Sequence, residues 1–230
     1  MASDVYSLAK CVFEDETEYR KENKILNVSP ITFEDTITNL ERIDAIARRH
    51  AKLERENNGH NPYLYGRPLA DIVGKIADAW HFDYEKKIII AHGAKIHDIG
   101  KVKVKNEILN KNEELTDQEK KIIEEHPLTG EVLVRPFYHL GKLIRHHHEW
   151  YNGEGEGYPD HLKGDEIPFG SRIISVVDAF NAMTSDRTYR PRAFFKEEAL
   201  EELIKNKGTQ FDPQVVDVFV ILVNEKKIRQ

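Results

Sequence analysis

The residues best equipped for chemistry are imidazoles and carboxylates in the order His97-Asp98, His126, His147-His148 and Asp178. Such side chains ligate hard to borderline divalent cations, iron, manganese and zinc among them. Most stand at the ends of apolar segments, which points to a pocket for two or more metals. A pocket of that kind activates water and clamps a phosphate, so phosphoester hydrolysis is the first functional expectation. An adjacent His and Asp at a helix end can both reach inward, and an Asp between two cations can bridge them through its two oxygens. The tandem His147-His148, in a triple run with His146, has the same character.

The elements that must position these residues read as helices throughout, with no strand. A charged, moderately periodic stretch over 4–24 predicts one helix, and Ser29 precedes a second over Ile31 to Glu56. The apolar residues of that second helix, Ile37, Leu40, Ile43, Ile46, Ala47 and Leu53, recur at three- and four-residue spacing. Asn57 to Pro62 reads as a loop, and Pro68 suits the first turn of a helix reaching His81. Tyr84 to His97 follows, its Ile88-Ile89-Ile90 run reading as buried, and Gly100 fits a left-handed cap. Thr116-Asp117-Gln118-Glu119 has capping-box spacing and opens a helix that reaches His126, where Pro127 stops it. Further helices are predicted over Thr129–Val134, Phe137–Glu149, Ser171–Thr184, Phe195–Lys205 and Pro213–Asn224. Between them, Asn152 to Pro168 is a long Gly-rich irregular segment, of the kind that often carries function.

Composition bounds the function classes. With 40% apolar and 32% charged residues over 230 positions, the chain has the profile of a soluble domain with a real core. Its formal charge of -6 argues against a DNA or RNA polymer as partner, but not against a small anion in a locally basic, metal-lined pocket. No run is apolar enough for membrane insertion and no secretory signal is visible. The single cysteine, Cys11, excludes an internal disulfide and fits a reducing cytoplasm.

The motifs resemble those of the HD-GYP domain, the phosphodiesterase branch of the HD superfamily of metal-dependent phosphohydrolases. The matching text is His97-Asp98-Ile99-Gly100-Lys101, Ile108-Leu109-Asn110-Lys111, Leu115-Thr116 and His126-Pro127-Leu128-Thr129-Gly130. It continues through His147-His148-Glu149, Gly157-Tyr158-Pro159, Leu162 to Pro168, Val177-Asp178-Ala179-Phe180, Thr184 to Arg190 and Gly208 to Pro213. The resemblance implies an all-α HD-domain helical bundle, here with an N-terminal helical extension over 1–56 and the HD-GYP domain over 57–230. It also implies that His97, Asp98, His126, His147, His148 and Asp178 ligate two divalent metals, iron or manganese. By the same resemblance, cyclic di-GMP is cleaved to pGpG and onward to GMP, with Asp98 and Lys101 catalytic. Lys101 would contact the scissile phosphate or a nearby carboxylate, Arg187 and Arg190 would hold phosphate oxygens, and Tyr158 would line the substrate mouth.

Departures from the family pattern bear on this expectation. Arg67 stands where members carry a metal-binding His, and a guanidinium cannot ligate a cation. Tyr63 stands where trinuclear members carry Glu, which favours two metals over three. His60 and His92 are the nearest substitutes for the missing ligand. Asn181 replaces a customary Asp and would weaken a contact to Lys101, and the Asn152 to Gly157 loop is longer and more acidic than usual. These changes leave two alternatives: another cyclic dinucleotide such as cyclic GMP-AMP, or a degenerate module that senses a nucleotide or docks a protein. No receiver or sensor domain is read in the chain, so a regulatory input or homodimer contact is expected through the extension.

Overall fold

The computed structural model describes residues 10, 14, 17, 32–58, 62–135, 137–185, 192–225 and 227–228. Among these, helices α1 (Phe33–Asn58), α2 (Pro62–Ala79) and α3 (Tyr84–Ile96) lead into a 3-10 turn (Ile99–Lys103). After it come α4 (Asn106–Leu109), α5 (Asp117–Glu124), α6 (His126–Leu133) and α7 (Tyr138–Arg145). A second 3-10 turn (Gly164–Glu166) precedes α8 (Phe169–Thr184), α9 (Lys196–Lys205) and α10 (Pro213–Asn224). The all-α expectation holds, and none of the described helices is long and apolar enough to cross a membrane. The helix expected over 4–24 lies outside the described residues, apart from 10, 14 and 17, which are helical.

Helix boundaries differ from expectation where proline and glycine were misread. Helix α2 starts at Pro62, not Pro68; the first-turn logic applies to the earlier proline, whose missing N–H has no helical acceptor there anyway. Pro127 does not stop α5 but sits in the first turn of α6, and Glu125 joins the two helices without leaving helical dihedrals. Thr116 does cap α5, accepting from Glu119 N at 3.3 Å while Glu119 accepts from Thr116 N at 2.8 Å. Helix α7 ends at Arg145 instead of Glu149, and His146 (φ -107°, ψ 13°) begins the turn that fans out the three histidines. Nor is Gly100 a left-handed cap. It lies inside the 3-10 turn, where a Cβ would overlap the carbonyl oxygen of His126 and come within 2.7 Å of Gly130 N. Glycine is needed there because two backbones touch.

The described helices bury two apolar cores. In one, Leu40 and Ile43 of α1 pack with Ile96, Ile99, Val134, Phe137, Leu140 and Ile144. The larger core gathers Val73 and Ile76 of α2, Ile90 and Ala94 of α3, Ile174 and Val177 of α8, and Phe219 of α10. Helix α3 belongs to both. The expected boundary at residue 57 therefore falls beyond a helix that shares the domain's core, and α1 is further tied to α3 by Asp44–Lys95 at 3.0 Å. We expect Gly100→Ala to destabilise the fold by about 2–3 kcal/mol, since neither backbone can withdraw without opening the core. Urea denaturation would measure this, and an unchanged midpoint would refute the contact.

Candidate metal centre

Helix α3 ends as His97 takes its C-cap position, and Asp98 (φ -90°, ψ 7°) turns the chain into the 3-10 segment. His126 opens α6, His147 and His148 follow α7, and Asp178 extends from α8 next to buried Val177. Three of the imidazoles share one device. His97 Nδ1 lies 2.8 Å from Ala94 O, His126 Nδ1 2.7 Å from Ile123 O, and His147 Nδ1 2.6 Å from Ile144 O. A carbonyl oxygen can only accept, so each Nδ1 must carry the proton. In the neutral ring that leaves Nε2 as a bare lone pair.

The Nε2 nitrogens converge on Asp98 and on one another. His126 Nε2 is 3.1 Å from Asp98 Oδ1 and 3.4 Å from His147 Nε2. Asp98 Oδ2 lies 3.5 Å from His97 Nε2, which is 3.4 Å from Asp178 Oδ1. His97 Nε2 and Asp98 Oδ1 are buried without a hydrogen-bond partner. Ligand atoms from Asp98, His126, His147 and His148 all lie within 4.8 Å of one another. Around Oδ1, the lone pairs of neutral His126 and His147 and of the carboxylate repel at these distances unless a cation lies among them, so the donor set fits a divalent metal. Asp98 stands between two halves, with His97 and Asp178 toward Oδ2 and His126 and His147 toward Oδ1.

Protonation equilibria follow the same division. Burial, reinforced by neighbouring imidazoles, holds His147 and His148 well below the usual histidine range, and burial also lowers His126. His97 is the exception: burial works against its charge, but Asp98 and Asp178 overcome it and lift the pKa to about 10. Asp98 stays low although burial opposes its charge, because Lys101 and His97 outweigh that cost. Lys101 Nζ sits 2.7 Å from Asp98 Oδ2, a carboxylate partner of the expected kind.

The irregular segment over 152–168 closes the site. Tyr158 stacks on His148 with ring centroids 4.8 Å apart and planes at 25°. Gly155 and Gly157 lie against Trp150, where a Cβ would come within 2.5 Å of the indole and of Trp150 N respectively. Buried Glu149 accepts from Asp160 N at 2.7 Å and Leu162 N at 3.1 Å, fastening the loop after Tyr158. The Gly208–Pro213 motif holds its start, through Tyr151 N to Gln210 O at 3.1 Å and Asn152 N to Thr209 O at 3.0 Å. Its extra carboxylates, Glu154 and Glu156, are exposed. The positioning role of Glu149 escaped sequence reasoning, although an acidic residue directly after two candidate ligands was its visible signal.

Not every candidate joins the cluster. His92 faces Asp44 and Lys95 near α1, and burial holds its pKa down at about 4. Arg67 lies on the α2 backbone, but its side chain, like His60, Tyr63, Arg187 and Arg190, lies outside the described residues.

An all-helical domain with a buried His/Asp pocket of this donor set defines a metal-binding domain of the HD type. The chain belongs to the HD domain family, whose profile matches residues 22–215. The resemblance to the HD-GYP branch holds. It is 32% identical to the cyclic di-GMP phosphodiesterase response regulator RpfG of Xanthomonas campestris pv. campestris over 77% of this chain and 47% of the relative. It is 31% identical to the 3'3'-cGAMP-specific phosphodiesterase 2 of Vibrio cholerae over 80% of this chain and 34% of the relative. The chain thus spans less than half the length of these two relatives. Among solved structures, Bd1817, an HDG"Y"P protein from Bdellovibrio bacteriovorus, has the same fold (TM-score 0.60, 16% identity, 96% of this chain and 69% of that one).

Two outcomes are expected. Glu149→Ala leaves two loop amides without acceptors and should cost about 2–4 kcal/mol, read by chemical denaturation, with Trp150 fluorescence changing as the loop loosens. Cation binding should displace the proton held on His97, so apparent affinity rises with pH, about tenfold per unit for a one-proton exchange, and levels off above about 10. Calorimetry in buffers of different ionisation enthalpy measures that release; its absence at neutral pH would contradict the assigned protonation.

Proposed function

We propose that this domain is a metal-dependent phosphodiesterase that hydrolyses cyclic di-GMP to pGpG and onward to GMP. The observation that carries the reading is the convergence of buried imidazole nitrogens on the two oxygens of one carboxylate. His97 and Asp178 would hold one cation and His126, His147 and His148 another, with Asp98 shared between them. A nitrogen and oxygen donor set without thiolate suits iron or manganese, and two ions rather than three accord with Arg67 in place of a ligand. When bound, such cations activate water at neutral pH and neutralise the charge that grows on phosphoryl oxygens.

The chain's own groups do the rest. Backbone carbonyls of Ala94, Ile123 and Ile144 orient the imidazoles, and Lys101 fixes Asp98 and offers its charge to the scissile phosphate. Arg187 and Arg190 would bind the remaining phosphate oxygens. Tyr158, its phenol held neutral by burial, would cover the His148 side of the cluster and meet a base or ribose. Members of the family named for cyclic di-GMP and for 3'3'-cGAMP both support a cyclic dinucleotide, and the donor set does not discriminate the bases. A cytoplasmic location and a homodimer or regulatory contact through 1–56 belong to the same proposal.

Anaerobic purification, metal quantification and assay against a cyclic dinucleotide panel with manganese or ferrous iron test it. We expect two metals per chain and pGpG as first product; tight nucleotide binding without product at any metal would overturn the catalytic reading. Asp98→Ala should lose metal and activity together, by more than the about 10–100-fold typical of disturbing a supporting partner of a ligand. An active, metal-replete variant would mean the centre is misassigned.

A further inference from the structure

We propose that a second binding site, for a small amphipathic anion, lies in the groove between α3, α7 and the start of α8. Its volume is about 870 Å³, within the range of small-molecule sites. None of the six candidate metal ligands lines it, although it shares His146 and Asp160 with the turn and loop that border the cluster.

The walls are apolar and already braced. Phe82, Tyr138, Leu162 and Phe169 face the groove, and Phe82 meets Phe169 edge-on with centroids 5.7 Å apart. Phe169 is held from elsewhere by Trp80 at 5.1 Å and by the Arg172 guanidinium at 4.9 Å. Flat apolar surface therefore exists before any ligand arrives, which lowers the ordering cost of binding.

Charge selects the ligand. Of the lining carboxylates, Asp160 gives both oxygens to Arg145, at 2.6 and 2.8 Å, and Glu166 accepts from Lys163 N at 2.9 Å. The lining ammonium groups are less committed: Lys86 lies 3.6 Å from Asp83 and Lys142 3.8 Å from Glu131, both outside hydrogen-bond range. His146, only 4% exposed, is already turned to carboxylates, its Nδ1 lying 3.3 Å from Asp160 Oδ2 and 3.6 Å from Glu149 Oε1, so the two lysines carry the selectivity. Hydrogen-bonded carboxylates and ammonium groups held only by longer ion pairs, beside aromatic walls, fit an aromatic ring system carrying one anionic group. His146 adjoins His147, and Asp160 follows Tyr158-Pro159, so an occupant would sit against the segment that covers the metal centre. That position suits an effector.

Calorimetric titration of the full chain with 2-naphthoate and with the neutral naphthalene-2-methanol tests the site. The carboxylate should bind one site about tenfold tighter than the alcohol, the worth of roughly one charge-assisted hydrogen bond. The Lys86→Met/Lys142→Met double variant should lose that preference while keeping its denaturation midpoint, because both side chains are partly exposed. Asp98→Ala should bind naphthoate as the parent does. Equal affinity for the two probes, a preference surviving in the double variant, binding lost with Asp98→Ala, or no binding at millimolar probe would each overturn the proposal. None of these readouts depends on hydrolysis, so the site stands or falls apart from the phosphodiesterase reading.

Discussion

The hydrogen bond from an imidazole Nδ1 to the carbonyl three residues earlier is the interaction on which the rest of this structure depends. It recurs at His97, His126 and His147, each time at the end or the opening turn of a helix. At such positions the last carbonyls of a turn are open to further donors, and the side chain can fold back on its own turn. The bond selects one tautomer, fixes the ring plane and directs the remaining lone pair into the pocket. Burial then keeps His126 and His147 neutral, so the geometry that orients these rings also leaves them competent to bind a cation.

Bringing three helix termini to one point requires backbones closer than side chains ordinarily permit. The Gly100 contact with His126 and Gly130 supplies that approach, beside Ile99 and Ile144 of the smaller core. Ile96 and Ile144 anchor His97 and His147 to one core, while Val177 anchors Asp178 to the other. The metal centre is thus a seam between cores, and α1, through Leu40, Ile43 and the Asp44–Lys95 pair, forms part of the wall behind it.

The loop over the pocket is ordered by residues that never face it. Glu149 withdraws its carboxylate from the cluster and spends it on two loop amides, Trp150 shapes the glycine-rich stretch, and the Gly208–Pro213 segment clasps its start. Tyr158 reaches His148 as a consequence. Sequence motifs distant from the ligands therefore act on the site through backbone hydrogen bonds.

The helical class and the cap at Thr116 were legible from residue types and spacing, because periodicity and capping are local properties. Several boundaries were not. Pro127 could stop one helix or start the next, and the helix before the histidine run could end at Arg145 or continue, since local preference allows both. Gly100 was misassigned because its constraint is contact with residues 126 and 130, which no local pattern encodes. The sequence by itself determined which groups can bind metal and that helices must carry them. Tertiary structure alone decided that Asp98 stands between His97 on one side and His126 on the other, and that Lys101 joins it. It also decided that Glu149 serves the loop while His92 faces α1. Directions and distances between side chains far apart in the chain are set by packing, and packing emerges only when the two cores close.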